Sequence, residues 1–176
     1  FGLSFGGLVT AYFTAEHPER VRSLLLVDPV TRAGQLPAMF RTRFVGPVLW
    51  QLLAVPAMPA GQPTDFLHPE RWPDWEDKYR PQMRYRGFGR ALRRSRWEGQ
   101  HVDFPALHTR VAQTGKPVFL AWGKQDATVP IALADDLRQR IPQLEFVPID
   151  SAGHLPNIEQ AAVFNAAMFG FLGRHR

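Results

Sequence analysis

Three side chains could together perform nucleophilic chemistry: Ser4, Asp126 and His154. Each of them follows a glycine-rich or apolar segment. Ser4 forms the pattern G-x-S-x-G with Gly2 and Gly6, directly before the helix-like segment GGLVTAYFTAE. In that pattern the glycines allow a sharp strand-to-helix turn, on which the serine hydroxyl stands exposed. A hydroxyl is a poor nucleophile without a base, so the pattern requires a histidine elsewhere in the chain.

His154 is the best placed of the six histidines to be that base. It lies in DSAGHLPNIEQ, between a predicted strand and the last predicted helix. Open α/β sheets place their sites at such carboxyl ends of strands. The remaining histidines lie at helix ends, before prolines, beside a predicted helix or beside the C-terminus, and we predict surface or structural roles for them: His17, His68, His101, His108 and His175.

Two aspartates could orient the imidazole and stabilise its charged form. Asp126, in WGKQDATVP, follows the apolar run 118–122 and is the preferred candidate. Asp28, in LLLVDPV, follows the apolar run 23–27 and is the alternative acid. The Asp28-Pro29 pair can equally form a turn in which the carboxylate binds local backbone.

The elements that must position these residues form an α/β pattern. The runs 23–27 (SLLLV) and 118–122 (VFLAW) are apolar without alternation, which predicts central parallel strands covered on both faces. Residues 144–149 carry Glu145 and Pro148, which indicates an edge strand. We predict helices over 5–16, 105–114, 130–140 and 158–172, and no strand between 31 and 104.

Composition excludes several classes of protein. The chain has 176 residues, 45% of them hydrophobic, which is typical of a folded domain. Cysteine is absent, which excludes disulfides and cysteine-ligated metals. No apolar run has the length of a membrane span. The first residues look cut rather than targeted, so they carry no readable targeting signal, and a cytoplasmic location is our expectation.

Four motifs in order, GLSFGG, HPERVRSLLLVDPV, WGKQDATVP and AGHLPNIEQ, resemble those of α/β-hydrolase-fold serine hydrolases of the esterase or lipase type. The resemblance covers 1–29 and about 105–172. It implies a partial core domain over 1–30 and 105–176, with about three parallel strands, family strands six to eight. Residues 31–104 stand where the family carries a helical cap. Five strands and a second oxyanion donor would then precede Phe1 in the parent protein.

The resemblance also implies a reaction. His154 would take the proton of Ser4, Ser4 would attack an ester carbonyl, and the N–H of Phe5 would contribute to the oxyanion hole. Asp126 would hold His154 in the useful tautomer, and no metal or cofactor is expected. The apolar cap suggests an ester of an apolar acyl or alcohol group, although its residues can equally pack the cap itself. The candidate substrate-binding residues are Phe40, Trp50, Leu53 and Trp72.

Other functions remain open at this stage. C–C bond hydrolases, acyltransferases and cofactor-free haloperoxidases share the same triad, and fold and triad cannot separate them. The arginine-rich segment Arg84 to Arg96 could contact an anionic membrane surface. The alternative function is therefore a catalytically incomplete fragment that binds anionic surfaces through its basic cap. A solvated cap face is the favoured interpretation of these arginines. No nucleic-acid partner is expected, because no recognised DNA or RNA motif accompanies them.

Overall fold

Four parallel strands form one sheet in a computed structural model that describes residues 1–32 and 34–175. The strands are β1 (Gly2–Leu3), β2 (Leu24–Val27), β3 (Val118–Gly123) and β4 (Leu144–Ile149). They follow one another across the sheet in chain order, with Gly2 opposite Leu26, Leu24 opposite Val118, and Val118 opposite Leu144. Because all the strands are parallel, their carboxyl ends meet at one edge of the sheet.

The predicted roles of the three longer strands are confirmed. β2 and β3 are central and every residue in them is buried, whereas β4 lies at one edge with its interior residues partly exposed. The expectation of about three strands was low by one. β1 has only two residues, Gly2 and Leu3, and so short a segment carries no hydrophobic pattern from which a strand could be predicted.

Helices connect and cover the strands. Their bounds are α1 (Phe5–Glu16), α2 (Ala38–Arg41), α3 (Val45–Leu49), α4 (Val55–Gly61), α5 (Trp75–Tyr79), α6 (Phe88–Gly99), α7 (Phe104–Gln113), α8 (Ala134–Arg140), α9 (Pro156–Glu159) and α10 (Ala161–Arg174). Short 3-10 turns occupy Pro18–Arg20, Gln62–Asp65, Pro69–Arg71, Arg80–Arg84 and Ile131–Leu133, and Trp50–Ala54 is a π-helical turn. Among the described residues, no helix is long and apolar enough to cross a membrane.

Two of the predicted helices are shorter than expected. The segment after Pro130 begins as a 3-10 turn and becomes α-helical only at Ala134. The final helix is divided at Gln160, whose backbone angles (φ −127°, ψ 47°) are not helical. Both differences concern the ends of helices, which sequence patterns locate least well.

The described residues form two compact units. The first holds the sheet and comprises Phe1–Thr31, Asp65–Leu67 and the chain from Asp103 onward. Alternate strand residues point to opposite faces. Leu25, Val27, Phe119 and Ala121 pack with Phe164 and Phe171 of α10 on one face. The opposite face carries Leu24 and Leu26. They lie beside Ile141, which follows α8, and beside residues of α1, α7 and α8: Leu8, Ala11, Leu107, Val111 and Leu137.

The second unit comprises Arg32–Thr64 and His68–Val102 and contains helices but no strand among its described residues. Leu36, Trp50 and Val55 are its buried centre. The indole N–H of Trp50 donates a hydrogen bond of 2.7 Å to the carbonyl of Gly89. This unit therefore has a small apolar core of its own, and a hydrogen bond from a side chain to the backbone links two of its segments.

Candidate active site

Ser4 occupies a sharp turn between β1 and α1. Its backbone angles, φ 52° and ψ −122°, lie in a region that residues with a side chain rarely adopt. The turn is held on both sides, because Ser4 N donates to Val27 O at 2.9 Å while Ser4 O accepts from Gly7 N at 2.9 Å and Val30 N at 3.1 Å. Backbone strain of this kind costs of order 1–3 kcal/mol and clusters at functional sites.

The glycines around Ser4 differ in how closely they are packed. A Cβ on Gly2 would collide with Gly6 O and Thr10 Oγ1, and one on Gly7 would lie 2.6 Å from Pro29 Cβ. A Cβ on Gly6 would meet nothing within 4 Å among the described residues. Within the G-x-S-x-G pattern, Gly2 is therefore closely packed and Gly6 is not. Gly7, outside the pattern, lets α1 approach the segment after β2.

These contacts predict that Gly7→Ala destabilises the chain and Gly6→Ala does not. The new methyl group at position 7 must displace Pro29, and overpacking of this kind costs about 1–3 kcal/mol. At position 6 the methyl group has open space, and alanine gains up to about 1 kcal/mol over glycine inside a helix. Thermal unfolding of the two variants measures the difference. Equal melting temperatures would contradict the close packing at Gly7.

Asp126 and His154 form a buried pair. His154 Nδ1 lies 2.7 Å from Asp126 Oδ2, and the two residues are 3% and 6% exposed. The other oxygen of Asp126 accepts the backbone N–H groups of Thr128 and Val129, each at 2.8 Å. The carboxylate is therefore fixed by the loop after β3 and in turn fixes the imidazole. With Nδ1 hydrogen-bonded to a carboxylate, the Nε2 atom of His154 is left to accept a proton.

Glu159 holds the loop that carries His154, a role that the sequence reasoning missed. Its two carboxylate oxygens accept the N–H of Leu67 at 2.8 Å and of Gly153 at 2.6 Å. The backbone N–H of His154 donates to Asp65 O at 2.8 Å. A signal for Glu159 was present, because this carboxylate follows the histidine within the quoted motif AGHLPNIEQ.

Asp28, the alternative acid, lies at the end of β2 with a positive φ of 42° and no exposed surface. Its Oδ1 accepts the N–H of Gly123 at 2.9 Å. Its Oδ2 is buried and has no hydrogen-bond partner in the described parts of the chain. Burial and then the neighbouring Asp126 carboxylate raise the pKa of Asp28 to about 10, although the Gly123 hydrogen bond acts in the opposite direction.

Three atoms that could bind a metal ion lie within 4.8 Å of one another: one carboxylate oxygen each of Asp28 and Asp126, and one ring nitrogen of His154. Such spacing is compatible with a metal ion. However, both oxygens of Asp126 already accept N–H groups, and Nδ1 of His154 faces one of these oxygens. The hydrogen bonds therefore fit an Asp126–His154 pair that shares a proton better than a set of metal ligands.

The sequence-predicted residues all lie at the carboxyl edge of the sheet. Ser4 follows β1, Asp28 follows β2, Asp126 follows β3 and His154 follows β4. The structure joins His154 to Asp126, and within residues 1–32 and 34–175 no hydrogen bond links Ser4 to His154. The N–H of Phe5 is the first of α1, where backbone donors have no partner within a helix. Its predicted role in an oxyanion hole stays a prediction.

His108 forms a second pair, away from the strand ends. It is 3% exposed, and its Nδ1 lies 2.8 Å from Asp136 Oδ2. Burial lowers the pKa of His108, although Asp136 acts in the opposite direction. Since His108 lies in α7 and Asp136 in α8, the pair ties two covering helices together.

The predicted substrate-binding residues of the second unit are in different environments. Trp50 is 4% exposed, and its ring meets that of Phe40 edge-on at 5.2 Å. Leu53 is 52% exposed, and Trp72 is partly exposed. Trp50 thus packs the unit's own core, and the assignment of all four residues to substrate binding stays a prediction.

The arginines of the 84–96 segment also differ from one another. Arg93 donates two hydrogen bonds to Phe40 O, at 3.0 and 2.8 Å from its Nε and Nη2 atoms. Others are exposed to solvent: Arg84, Arg86, Arg90, Arg94 and Arg96. One member of the basic segment is therefore structural, and contact of the rest with an anionic surface stays a prediction.

Comparison with known proteins gives relatives of several activities. The pimeloyl-[acyl-carrier protein] methyl ester esterase of Neisseria meningitidis serogroup A is 25% identical over 186 residues, covering 97% of this chain and 55% of that protein. A putative carbamate hydrolase of Azorhizobium caulinodans is 30% identical over 182 residues, covering 98% of this chain and 64% of that protein. The chain thus spans about half the length of the first relative and less than two thirds of the second.

A solved structure and a family model agree on the fold. The enol-lactonase from Burkholderia xenovorans LB400 is similar with a TM-score of 0.78 and 22% identity, covering 98% of this chain and 64% of that one. A sequence model of the α/β hydrolase fold matches residues 1–161. This match takes in the strained serine turn, all four parallel strands and the Asp126–His154 pair, and by it the chain belongs to the α/β-hydrolase fold family.

Proposed function

We propose that this chain carries the Ser4–His154–Asp126 triad of a serine hydrolase that cleaves carboxylic esters through an acyl-enzyme. The single observation that carries the proposal is the buried hydrogen bond of 2.7 Å between His154 Nδ1 and Asp126 Oδ2. It stands at the same edge of the sheet as the strained turn that carries Ser4. A pair of this kind is what a serine hydroxyl needs to become a nucleophile.

Each residue has a defined part in the reaction. Nε2 of His154 accepts the Ser4 proton as Ser4 Oγ attacks the ester carbonyl carbon, and the carbonyl π electrons move to oxygen. When the tetrahedral intermediate collapses, the C–O bond to the alcohol breaks and the imidazolium returns its proton to the departing oxygen. Water then attacks the acyl-enzyme by the same proton route, which releases the acid and regenerates Ser4.

Asp126 and the start of α1 stabilise the charges that form. Asp126 holds the imidazole with Nε2 free and stabilises the imidazolium, because its carboxylate accepts the Nδ1 proton. The oxyanion develops beside the N-terminus of α1, where the N–H of Phe5 and the helix dipole favour negative charge. Losing one oxyanion donor typically costs about 100 to 1,000-fold in rate.

Two of the sequence relatives support an acyl substrate whose carbonyl bears a heteroatom. Their names describe a methyl ester esterase and a putative carbamate hydrolase. The proposed substrate carries an apolar acyl or alcohol group, and the second unit by itself has exposed apolar side chains, among them Phe44, Leu52 and Leu53. C–C bond hydrolysis, acyl transfer and perhydrolysis use the same three residues, so substrate assays separate them from ester hydrolysis.

We expect a fluorophosphonate probe to label the folded chain at Ser4, with the adduct mapped by mass spectrometry. Ser4→Ala should abolish this labelling, because the activated hydroxyl is lost. Ser151→Ala is the matched control, since Ser151 also has a positive φ of 53° but is exposed. Aryl esters of increasing acyl length, an aryl carbamate and an enol lactone then define the substrate. Unchanged labelling in Ser4→Ala would overturn the proposal.

A further inference from the structure

The proposed mechanism does not use Asp28, although this carboxyl group is buried at the centre of the site. It has no exposed surface and follows the central strand β2 directly. The hydrogen bond from Gly123 to Oδ1 ties it to the end of β3, three residues before Asp126. A buried ionisable group is costly to retain unless it has a partner, so its protonation state must be explained.

Asp28 and Asp126 share one buried site. One oxygen of each lies within 4.8 Å of the other and of a ring nitrogen of His154. Two carboxylates that share a buried site repel each other, which raises the pKa of one of them and favours its protonated form. The remaining question is which of the two holds the proton.

The hydrogen bonds assign the proton to Asp28. Asp126 accepts two backbone N–H groups at Oδ1 and faces Nδ1 of His154 at Oδ2, a pattern that stabilises an anion. Asp28 accepts one N–H, and its Oδ2 is enclosed with no hydrogen-bond partner among the described residues. An ionised Asp28 would leave that oxygen without a donor, whereas a protonated carboxyl group can donate to the neighbouring Asp126 carboxylate, and a side-chain hydrogen bond with Asp126 raises the pKa of Asp28.

The charged groups around Asp28 favour the neutral form. Asp126 and Glu159 are both acidic and both raise the pKa of Asp28, after the larger effect of burial. His154 is the nearby basic group, and Asp126 Oδ2 already binds its Nδ1. The pKa of Asp28 of about 10 agrees with the assignment from geometry.

We propose that Asp28 is a positioning residue that stays protonated through the reaction and directs its Oδ2 proton at the Asp126 carboxylate. The role in catalysis rests on the proposed function, whereas the protonation state does not. A neutral donor beside Asp126 adds a hydrogen bond to the anion without a competing charge. It thereby spreads the negative charge of Asp126 and limits how strongly that carboxylate holds the imidazolium of His154.

The protonation state is tested by stability, without any need for activity. The pKa of an unfolded aspartate is about 3.9, so a group that keeps its proton to about pH 10 in the folded chain makes stability fall as pH rises between these values. Asp28→Asn has no proton to lose, and its amide preserves both an acceptor for Gly123 and a donor toward Asp126. We expect its melting temperature, relative to the wild type, to rise with pH between about pH 5 and 9.

Asp77→Asn is the matched control for that comparison, because Asp77 is an exposed aspartate whose side chain is 83% accessible. Its melting temperature relative to the wild type should change little with pH. A difference between Asp28→Asn and the wild type that does not depend on pH would overturn the assignment, since an ionised Asp28 would titrate near its unfolded value. An infrared carbonyl band of a protonated carboxyl group at pH 7, lost in Asp28→Asn, is the second measurement.

The positioning role is tested by the rate at which the fluorophosphonate labels Ser4. Asp28→Asn should keep this rate within a few fold at every pH, because it retains the donor. Asp28→Ala removes the donor, and the acidic limb of its pH–rate profile should move to higher pH. A loss in Asp28→Asn as large as in Asp126→Asn would overturn the proposal, because Asp28 would then be the ionised acid. If wild-type Ser4 is not labelled, the proposed function fails, while the stability comparison still decides the protonation of Asp28.

Discussion

On the proposed function, replacing Asp126 by asparagine should lower the rate of ester hydrolysis by about 10,000-fold while the fold survives. The amide oxygen of asparagine can still accept the N–H groups of Thr128 and Val129. Its NH2 group then faces Nδ1 of His154 and donates to it. The proton of the imidazole moves to Nε2, and that atom can no longer accept the proton of Ser4.

The measurement is kcat/KM for an aryl ester, or the labelling rate of Ser4 if turnover is slow, with thermal unfolding to show that the variant is folded. Asp28→Asn is the matched control, because it changes the other buried carboxyl group of the same site. Asp126→Asn that retains more than about a tenth of the rate would show that another group orients His154.

His154→Ala should cause the larger loss, roughly a million-fold in kcat, because no base then accepts the Ser4 proton. The backbone N–H of His154, which donates to Asp65 O, is unaffected by this change, so the loop should remain in place. The variant leaves a buried cavity of imidazole size beside the Asp126 carboxylate. We therefore expect added imidazole to restore part of the rate.

The rescue separates a chemical role from a structural one. Activity that rises with imidazole concentration in His154→Ala, and not in Ser4→Ala, identifies the lost base. His17→Ala is the control, since the His17 side chain is half exposed at the end of α1. If His154→Ala labels Ser4 at the wild-type rate, the triad assignment is wrong.

The strands that could be predicted are those marked by a pattern of neighbouring residues in the sequence. Unbroken apolar runs predicted the central strands β2 and β3, because strands covered on both faces need apolar side chains at every position. Glu145 and Pro148 predicted the edge position of β4, because proline has no backbone N–H with which to donate to a neighbouring strand. The parallel arrangement then implied that Ser4, Asp28, Asp126 and His154 lie at one edge of the sheet.

Sequence patterns were enough to predict the fold class, the central strands and the candidate residues at the carboxyl edge of the sheet. The folded structure was needed to show which carboxylate pairs with His154, that Glu159 holds the histidine loop, and that Gly7 rather than Gly6 is closely packed. Periodicity and turn chemistry act between neighbours in the chain, whereas these choices depend on contacts of a few ångströms between segments that are distant in sequence, as Asp126 is from His154.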